Sequence, residues 1–395
     1  MSKHILGLDI GSSTICASLC NIGKHHEVQL RGVGHAPAAG LQKGKIQSVE
    51  LLQKAIEKAI QKAELSAGFR AEEVVLSIPV CHIHFQTSTG LMPAKHRSGK
   101  IKDSEKMECV KRSQSDLASE KHLILHTFPI QFKVDGIPIA DPVGKKGVHL
   151  EVYSYSVLGA ADTITTLSHI LKRRRLVIRG VLYEAMAHAE LMLTEAEKDS
   201  GSLLIDIGGK FTKLSLFEKN VLQKSLFFPI GGDTVTADIA YCLKLSAFDA
   251  EKLKRQAVNL ILDAIDPNDT IEFISQDHSK RFINTLYLSR IVHARLAELF
   301  TLIKTQYPSH TMPATIVLVG GTSRLKGLVE FSQTCLNKPI QLGMTDTLQA
   351  RFKKPEIACA AGLVIYHQKL QTAQAYRARG KDPLSRFNKW FKEFF

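Results

Sequence analysis

Residues 4–14 read HILGLDIGSST, and about 200 positions later residues 203–212 read LLIDIGGKFT. Each is an aliphatic run that ends in Asp-Ile-Gly, passes through small or polar residues and enters a second apolar run. That pattern is strand, tight turn, strand. The match extends outward: KHILGLDIGSSTICASLCN (3–21) and GSLLIDIGGKFTKLSLFEKNVLQKSLFF (201–228) share one hydrophobic layout. The repeat predicts two related α/β halves.

The turns carry chemistry as well as topology. Gly11 lets the backbone approach a phosphate, whose oxygens the turn N–H groups and the Ser12 and Ser13 hydroxyls can bond. Asp9 can hold a divalent metal through water. Asp206, Gly208 and Gly209 repeat the arrangement, which predicts a phosphate chain clamped between the halves, with Asp206 as a second water-mediated metal partner. In EKLKR (251–255), Glu251, Lys254 and Arg255 share one helix face. They read either as an exposed ion-pair face or as contacts to a ribose and base. In VLVGGTSRLKG (317–327), Gly320 and Gly321 follow a buried strand and leave room for an adenine on the backbone.

Between these markers the spacing predicts a helix over 48–67, then a buried strand EVVLSIPV. From His84 to Leu158 the character changes to long strands and one polar helix over 101–119, an inserted α+β unit. Helices follow over AADTITTLSHILKRRRL and VLYEAMAHAELMLTEAEK (181–198), on either side of the short strand VIRG. The run Lys172-Arg173-Arg174-Arg175 either closes a helix, where cations suit the dipole, or forms a binding patch. Further helices are expected over 248–260, 285–305 and 355–370. The domain reading is 1–83 with 159–198 as the first half and 84–158 as the insertion. The second half is 199–232 with 311–368, and 233–310 is its small subdomain. Residues 369–382 read as a polar linker and 383–395 as a terminal amphipathic helix.

The chain has 395 residues, 44% apolar and 23% charged, the proportions of a globular protein. It has no apolar run of about 18 residues, as a spanning helix requires. The start is too short and polar for a secretory signal, so a cytosolic protein is expected. Seven scattered Cys without a C-x-x-C read as reduced thiols. His25-His26 and His82-x-His84 lack partner ligands for a metal site. The net charge of +14 favours anionic partners. No zinc-finger spacing, RNA-binding signature or helix-turn-helix appears, so no nucleic-acid partner is expected.

The chain ends DPLSRFNKWFKEFF. At roughly 100° per residue, Leu384, Phe387, Trp390, Phe391, Phe394 and Phe395 fall in an arc about 140° wide, with Arg386, Lys389 and Lys392 opposite. The aromatics either dock on the body or sink into a membrane interface with the cations at anionic headgroups. The basic, Gly-Pro-punctuated stretch before them favours the membrane. A helix of about twelve residues binds weakly alone, and an array of such helices on a polymer binds far better.

The order of these motifs resembles the actin-like ATPase superfamily and, within it, the FtsA family, whose members tie the FtsZ division ring to the bacterial inner membrane. The resemblance covers essentially the whole chain and includes ILGLDIGSST, the insertion, LTEAEKDSGSLLIDIGG, TADIAYCL, DAEKLKR, VLVGGTSRLKGL and the terminal helix. It implies a two-domain actin-like fold of duplicated ribonuclease-H-like halves. It implies ATP and Mg2+ bound by Asp9, Gly11, Ser12, Ser13, Asp206, Gly208, Gly209, Glu251, Lys254, Gly320 and Gly321. Glu184 matches an acidic position near the attacking water. It also implies head-to-tail filaments of the protein, binding of the acidic FtsZ C-terminal peptide through Arg295, contact of the insertion with later division proteins, and a peripheral place on the cytoplasmic membrane face at the septum. Arg295 reads equally as a local pair with Glu298. Two departures stand out. Lys210 and Phe211 replace a Gly and a Thr, with Thr212 one place late, and Ala185 replaces a proline. Lys210 can reach a γ-phosphate or point to solvent. ATP binding is therefore expected more than hydrolysis, with slow turnover at most. The related pilus-assembly protein PilM shares fold and insertion and is the alternative. A small-molecule kinase would need a further catalytic acid, which the sequence does not offer.

Overall fold

Strand β1 (Lys3–Ile10) is covered on both faces, with Ile5, Leu6, Leu8 and Ile10 all buried. The computed structural model describes residues 3–23, 27–94, 99–275, 278–343 and 355–379. The tail residues from Leu384 to Phe395, and His25 and His26, lie outside them. The chain divides into two compact units, one of residues 1–193, 220–224 and 345–395 and the other of residues 194–219 and 225–344.

In the first unit β2 (Thr14–Ile22) returns antiparallel to β1, and β3 (Val28–Pro37) pairs with β2. A small hairpin follows, β4 (Leu41–Gln42) and β5 (Lys45–Ile46). Helix α1 (Val49–Ala67) starts where the Ser48 hydroxyl accepts from the Leu51 N–H, and it stops at Gly68 in the left-handed region. Its apolar face (Leu52, Ile56, Ala59, Ile60, Ala63) lies on β3. A Cβ on Gly34 would come within 2.1 Å of the Ala59 carbonyl, so glycine permits that approach. Strand β6 (Glu73–Leu76) runs parallel to β1.

The insertion forms its own sheet. Strands β7 (Ile83–Pro93), β8 (His122–Val134), β9 (Ile137–Ile139) and β10 (His149–Ala160) stand in the order β7-β10-β8-β9. Helix α2 (Asp103–Ser113) covers one face, over a core of Met92, Cys109, Phe132, Leu150 and Val152. Helix α3 (Ala161–Arg173) leads to β11 (Val177–Val181), which completes the main sheet in the order β11-β6-β1-β2-β3. The basic run closes α3 as expected: Lys172 and Arg173 occupy its last turn, and Arg174 bonds Glu64 at 2.8 Å. The helix expected over 181–198 is two. Helix α4 (Glu184–Met192) ends at Leu193, and Thr194 and Glu197 build a capping box that starts α5 (Glu195–Ser200).

The second unit repeats the design. Strands β12 (Ser202–Ile207), β13 (Thr212–Glu218) and β14 (Val221–Phe228) lead to α6 (Gly232–Leu243) and α7 (Ala247–Ala257). A hairpin, β15 (Thr270–Ile274) and β16 (Lys280–Asn284), precedes α8 (Thr285–Gln306). Strand β17 (Thr315–Val319), α9 (Leu328–Leu336) and β18 (Gln341–Leu342) complete a sheet ordered β14-β13-β12-β17-β18. Leu203, Ile205, Val235, Ile239, Leu296 and Leu318 pack in one core.

The last helix, α10 (Pro355–Arg379), corrects two expectations. Residues 355–368 were assigned to the second half, yet α10 packs on β1, β2, β3, β6 and α4 of the first unit. A Cβ on Gly7 would come within 1.7 Å of the Ala360 carbonyl, and one on Gly362 within 2.3 Å of the Ala187 carbonyl. Glycine on the strand and glycine on the helix let backbones touch there. The stretch 369–379, read as a linker, is helical in the same element.

Candidate functional site

In the first unit Asp9 is the penultimate residue of β1, opposite Cys16, and Ile10 pairs with Ile15 across the four-residue turn Gly11–Thr14. The Ser77 hydroxyl at the end of β6 donates to Asp9 Oδ1 at 2.6 Å. A Cβ on Gly11 would lie 2.7 Å from the Thr14 carbonyl, so the tight turn selects glycine. Gly11, Ser12 and Ser13 are half-buried. Glu184 is the first residue of α4, where a carboxylate suits the helix dipole, and it is buried. Asp9 and Glu184 thus come together, and a third group joins them that the sequence reading missed. The ligand atoms of Asp9, Glu184 and Cys359 of α10 lie within 4.8 Å of one another. Two carboxylates at that spacing fit a hydrated hard cation. Only the packing of α10 brings Cys359 there, and its small-residue surroundings ACAAG give no signal of it.

The insertion reaches the same place. His126 on β8 is buried, and its Nε2 accepts the Tyr183 N–H at 2.9 Å. The Phe85 ring meets the Tyr183 ring edge-on at 5.5 Å. Burial pushes the His126 pKa down to about 4, so the ring is neutral with its proton on Nδ1.

The second unit presents the same hairpin in the same register. Asp206 is the penultimate residue of β12, opposite Lys213, and Ile207 pairs with Thr212 across the turn Gly208–Phe211. The Gly208 N–H donates to the Phe211 carbonyl at 3.0 Å, and the Gly232 and Asp233 N–H groups of α6 donate to the Gly208 and Gly209 carbonyls at 2.9 and 2.7 Å. The Thr322 hydroxyl also donates to the Gly208 carbonyl, at 3.0 Å. This web fixes the turn against α6 and the loop after β17. Phe211 is a core residue, edge-on to Phe227 at 5.6 Å. Lys210 is half-buried.

Asp206 does not fit the metal role expected of it. Lys213 Nζ lies 2.6 Å from Asp206 Oδ2, and a Cβ on Gly320 would come within 2.3 Å of Asp206 Oδ1. Both oxygens are covered. Gly320 has φ +89, a conformation that favours glycine, and the next residue Gly321 is open, with nothing within 4 Å of an added Cβ.

On α7 the Lys254 ammonium is buried. It donates to the Gly232 carbonyl at 2.9 Å and to Thr236 Oγ1 at 2.8 Å, and it pairs with Glu251 at 2.5 Å. Arg255 is exposed and bonds Glu251 at 2.6 Å. Burial opposes the Glu251 charge, but bonds from Lys254 and Thr236 outweigh it and hold the pKa below the usual glutamate value. Lys254 is therefore a strut beneath the start of α6, while the Glu251–Arg255 pair faces outward. Arg295 on α8 forks onto Asp238 of α6, with Nε–Oδ2 at 2.6 Å and Nη2–Oδ1 at 3.0 Å, and also bonds Glu298 at 2.5 Å. Those bonds, Asp238 first, raise its pKa. The local pair is present, and Asp238 is a partner the sequence did not reveal.

Two α/β units, each opening on an Asp-Ile-Gly hairpin of one register, define the actin-like architecture. Solved structures agree. The chain superposes on a PilM–PilN type IV pilus biogenesis complex chain with TM-score 0.66 at 18% identity, covering 92% of this chain and 98% of that one. It superposes on MreB5 of Spiroplasma citri bound to AMPPNP with TM-score 0.54 at 12% identity, covering 96% and 99%. The sequence selects the branch. The family described as cell division protein FtsA matches residues 203–362, and the SHS2 domain inserted in FtsA matches 81–158. Together they span more than half of the chain. The Pseudomonas aeruginosa cell division protein FtsA is 29% identical over 92% of this chain and 89% of its own length. Its Neisseria meningitidis counterpart is 27% identical over 100% and 99%, and that of Bacillus subtilis 25% over 91% and 82%. The chain belongs to the FtsA family of cell division proteins.

Proposed function

We propose that this cell division protein is a nucleotide-binding, polymer-forming adaptor that holds the FtsZ ring at the cytoplasmic face of the inner membrane. The observation that carries the nucleotide reading is the shared register of the two Asp-Ile-Gly hairpins, each with its Asp one residue before the strand end. ATP is the ligand this predicts, with Asp9 and Glu184 offering oxygens to Mg2+ and to an attacking water. Bound ATP would act as a ligand that biases the conformation and hence assembly. Residues 383–395 supply the anchor: aromatics at the acyl boundary, Arg386, Lys389 and Lys392 at anionic headgroups. Among the described residues no helix is long and apolar enough to cross a membrane, which leaves an interfacial anchor consistent. The FtsZ C-terminal peptide is the proposed partner of the Arg295 face. Contact there needs an acidic group to compete with Asp238. The insertion is the proposed surface for the next subunit and for later division proteins.

The test is sedimentation with anionic liposomes and ATP, comparing the full chain with a truncation after Lys381. The full chain alone should pellet. If both remain soluble, the anchor reading fails and a PilM-like role, recruiting a membrane partner's cytoplasmic tail, takes its place.

A further inference from the structure

We infer that Lys213 takes the place of a metal at the second hairpin, so that this unit meets nucleotide phosphates with a fixed ammonium and nucleotide affinity depends little on Mg2+. The inference rests on the nucleotide reading above and specifies how that site handles charge.

The two hairpins share a register, so equivalent positions can be compared directly. Opposite Asp9 stands Cys16, and opposite Asp206 stands Lys213. The eight residues from Asp9 to Cys16 carry a formal charge of −1, while those from Asp206 to Lys213 carry +1, through Lys210 and Lys213. The first hairpin is built to attract a cation. The second already contains one.

The contacts agree with the count. The Lys213 and Asp206 side chains are only 14% and 10% exposed, and their charged atoms lie 2.6 Å apart. The second carboxylate oxygen lies against the Gly320 backbone. Mg2+ demands octahedral geometry and keeps several waters, so it needs an open carboxylate with space around it. Asp206 offers neither, and the ammonium repels a second cation. A lysine ammonium is a compact point charge suited to phosphate oxygens. Paired with Asp206, it occupies the place a metal would need, and Lys210 supplies the net positive charge of the turn. Lys213 also braces Asp206, whose other oxygen lies against Gly320.

The experiment uses the full chain and a fluorescent ATP analogue, with excess Mg2+ or with EDTA. The wild-type dissociation constant should change by about threefold or less on metal removal, and that of Lys213→Gln by about tenfold or more. A wild-type loss of about tenfold, or a Lys213→Gln response equal to wild type, overturns the inference. The wild-type comparison needs no variant, so a folding defect in Lys213→Gln leaves it decisive. Mn2+ alone, titrated by electron paramagnetic resonance, separates this inference from the nucleotide reading. Wild type and Asp206→Asn should bind Mn2+ alike, and Lys213→Gln should gain an ion that Asp206→Asn in the same chain removes. Loss of Mn2+ on Asp206→Asn alone refutes the inference. Failure of the ATP analogue to bind under either condition refutes the nucleotide reading instead, and the Mn2+ arm still decides whether Lys213 excludes a metal.

Discussion

Acid should destabilise this protein through one histidine. His126 is 9% exposed and accepts the Tyr183 N–H at 2.9 Å. Protonation removes the acceptor and places a charge in a buried site. Burial lowers the pKa from 6.5 to about 4. The sign follows from proton binding. Between those values the unfolded chain holds a proton that the folded chain refuses. The stabilisation is full above 6.5 and is lost as pH falls toward 4. Linkage with these two values gives a loss of about 2 kcal/mol at about pH 5 relative to neutrality, approaching about 3 kcal/mol in stronger acid. The assay is urea denaturation followed by far-ultraviolet circular dichroism at both pH values, for wild type and His126→Gln. An amide oxygen can still accept the Tyr183 N–H, so the variant should be nearly as stable at neutral pH. Other groups titrate in both proteins and cancel in the comparison. Wild type should lose about 2 kcal/mol more than the variant on acidification. Equal losses would refute the claim that the ring is held neutral by burial.

Other outcomes follow from single contacts. Gly7→Ala should cost about 3 kcal/mol or more in a thermal or urea melt, because a Cβ 1.7 Å from the Ala360 carbonyl forces α10 off the sheet. Gly321→Ala meets nothing within 4 Å and should leave the melt unchanged while weakening ATP-analogue binding, which separates ligand contact from folding. Lys254→Met should destabilise the second unit by about 3 kcal/mol, since it strips the buried partner of Glu251 and of the Gly232 carbonyl; unchanged hydrogen exchange in α6 would contradict the strut role. Asp238→Asn should tighten binding of an acidic FtsZ-tail peptide several-fold, by about 1 kcal/mol, because it removes the charge that competes for the Arg295 guanidinium, and calorimetry would show it.

How much of this could be read from the sequence depended on whether the signal was local. The two hairpins were legible because each is a strand, a turn and a strand whose aliphatic runs and glycines act within about ten residues. Helix α1 was legible from its apolar spacing, and the structure adds Ser48 as its cap. The destination of α10 was not. Its residues ACAAG are small and apolar all round, so they name no face. What decides its place is backbone contact with Gly7 and Ala187, far away in the chain. Cys359 reaches Asp9 and Glu184 by the same route. Arg295 could be matched to Glu298 three residues on, but Asp238 lies 57 residues away.

The second hairpin shows the same limit more sharply. Lys210, Phe211 and Thr212 looked like separate irregularities in a phosphate turn, and Lys213 drew no notice because a lysine on a strand ordinarily faces water. The register joins them. A four-residue turn sets Lys213 opposite Asp206, which neutralises the carboxylate. Phe211 then goes into the core against Phe227, and the Thr212 hydroxyl donates to the Ile230 carbonyl at 2.7 Å, so neither side chain is left to serve a ligand. On the proposed nucleotide reading, phosphate contact at this turn would fall to backbone groups and to Lys210 and Lys213. The acidic, hydroxyl-rich turn of the first unit invites a cation, whereas the basic, apolar turn of the second already carries one. On the nucleotide reading proposed above, the charge of the second hairpin would favour holding nucleotide over hydrolysing it.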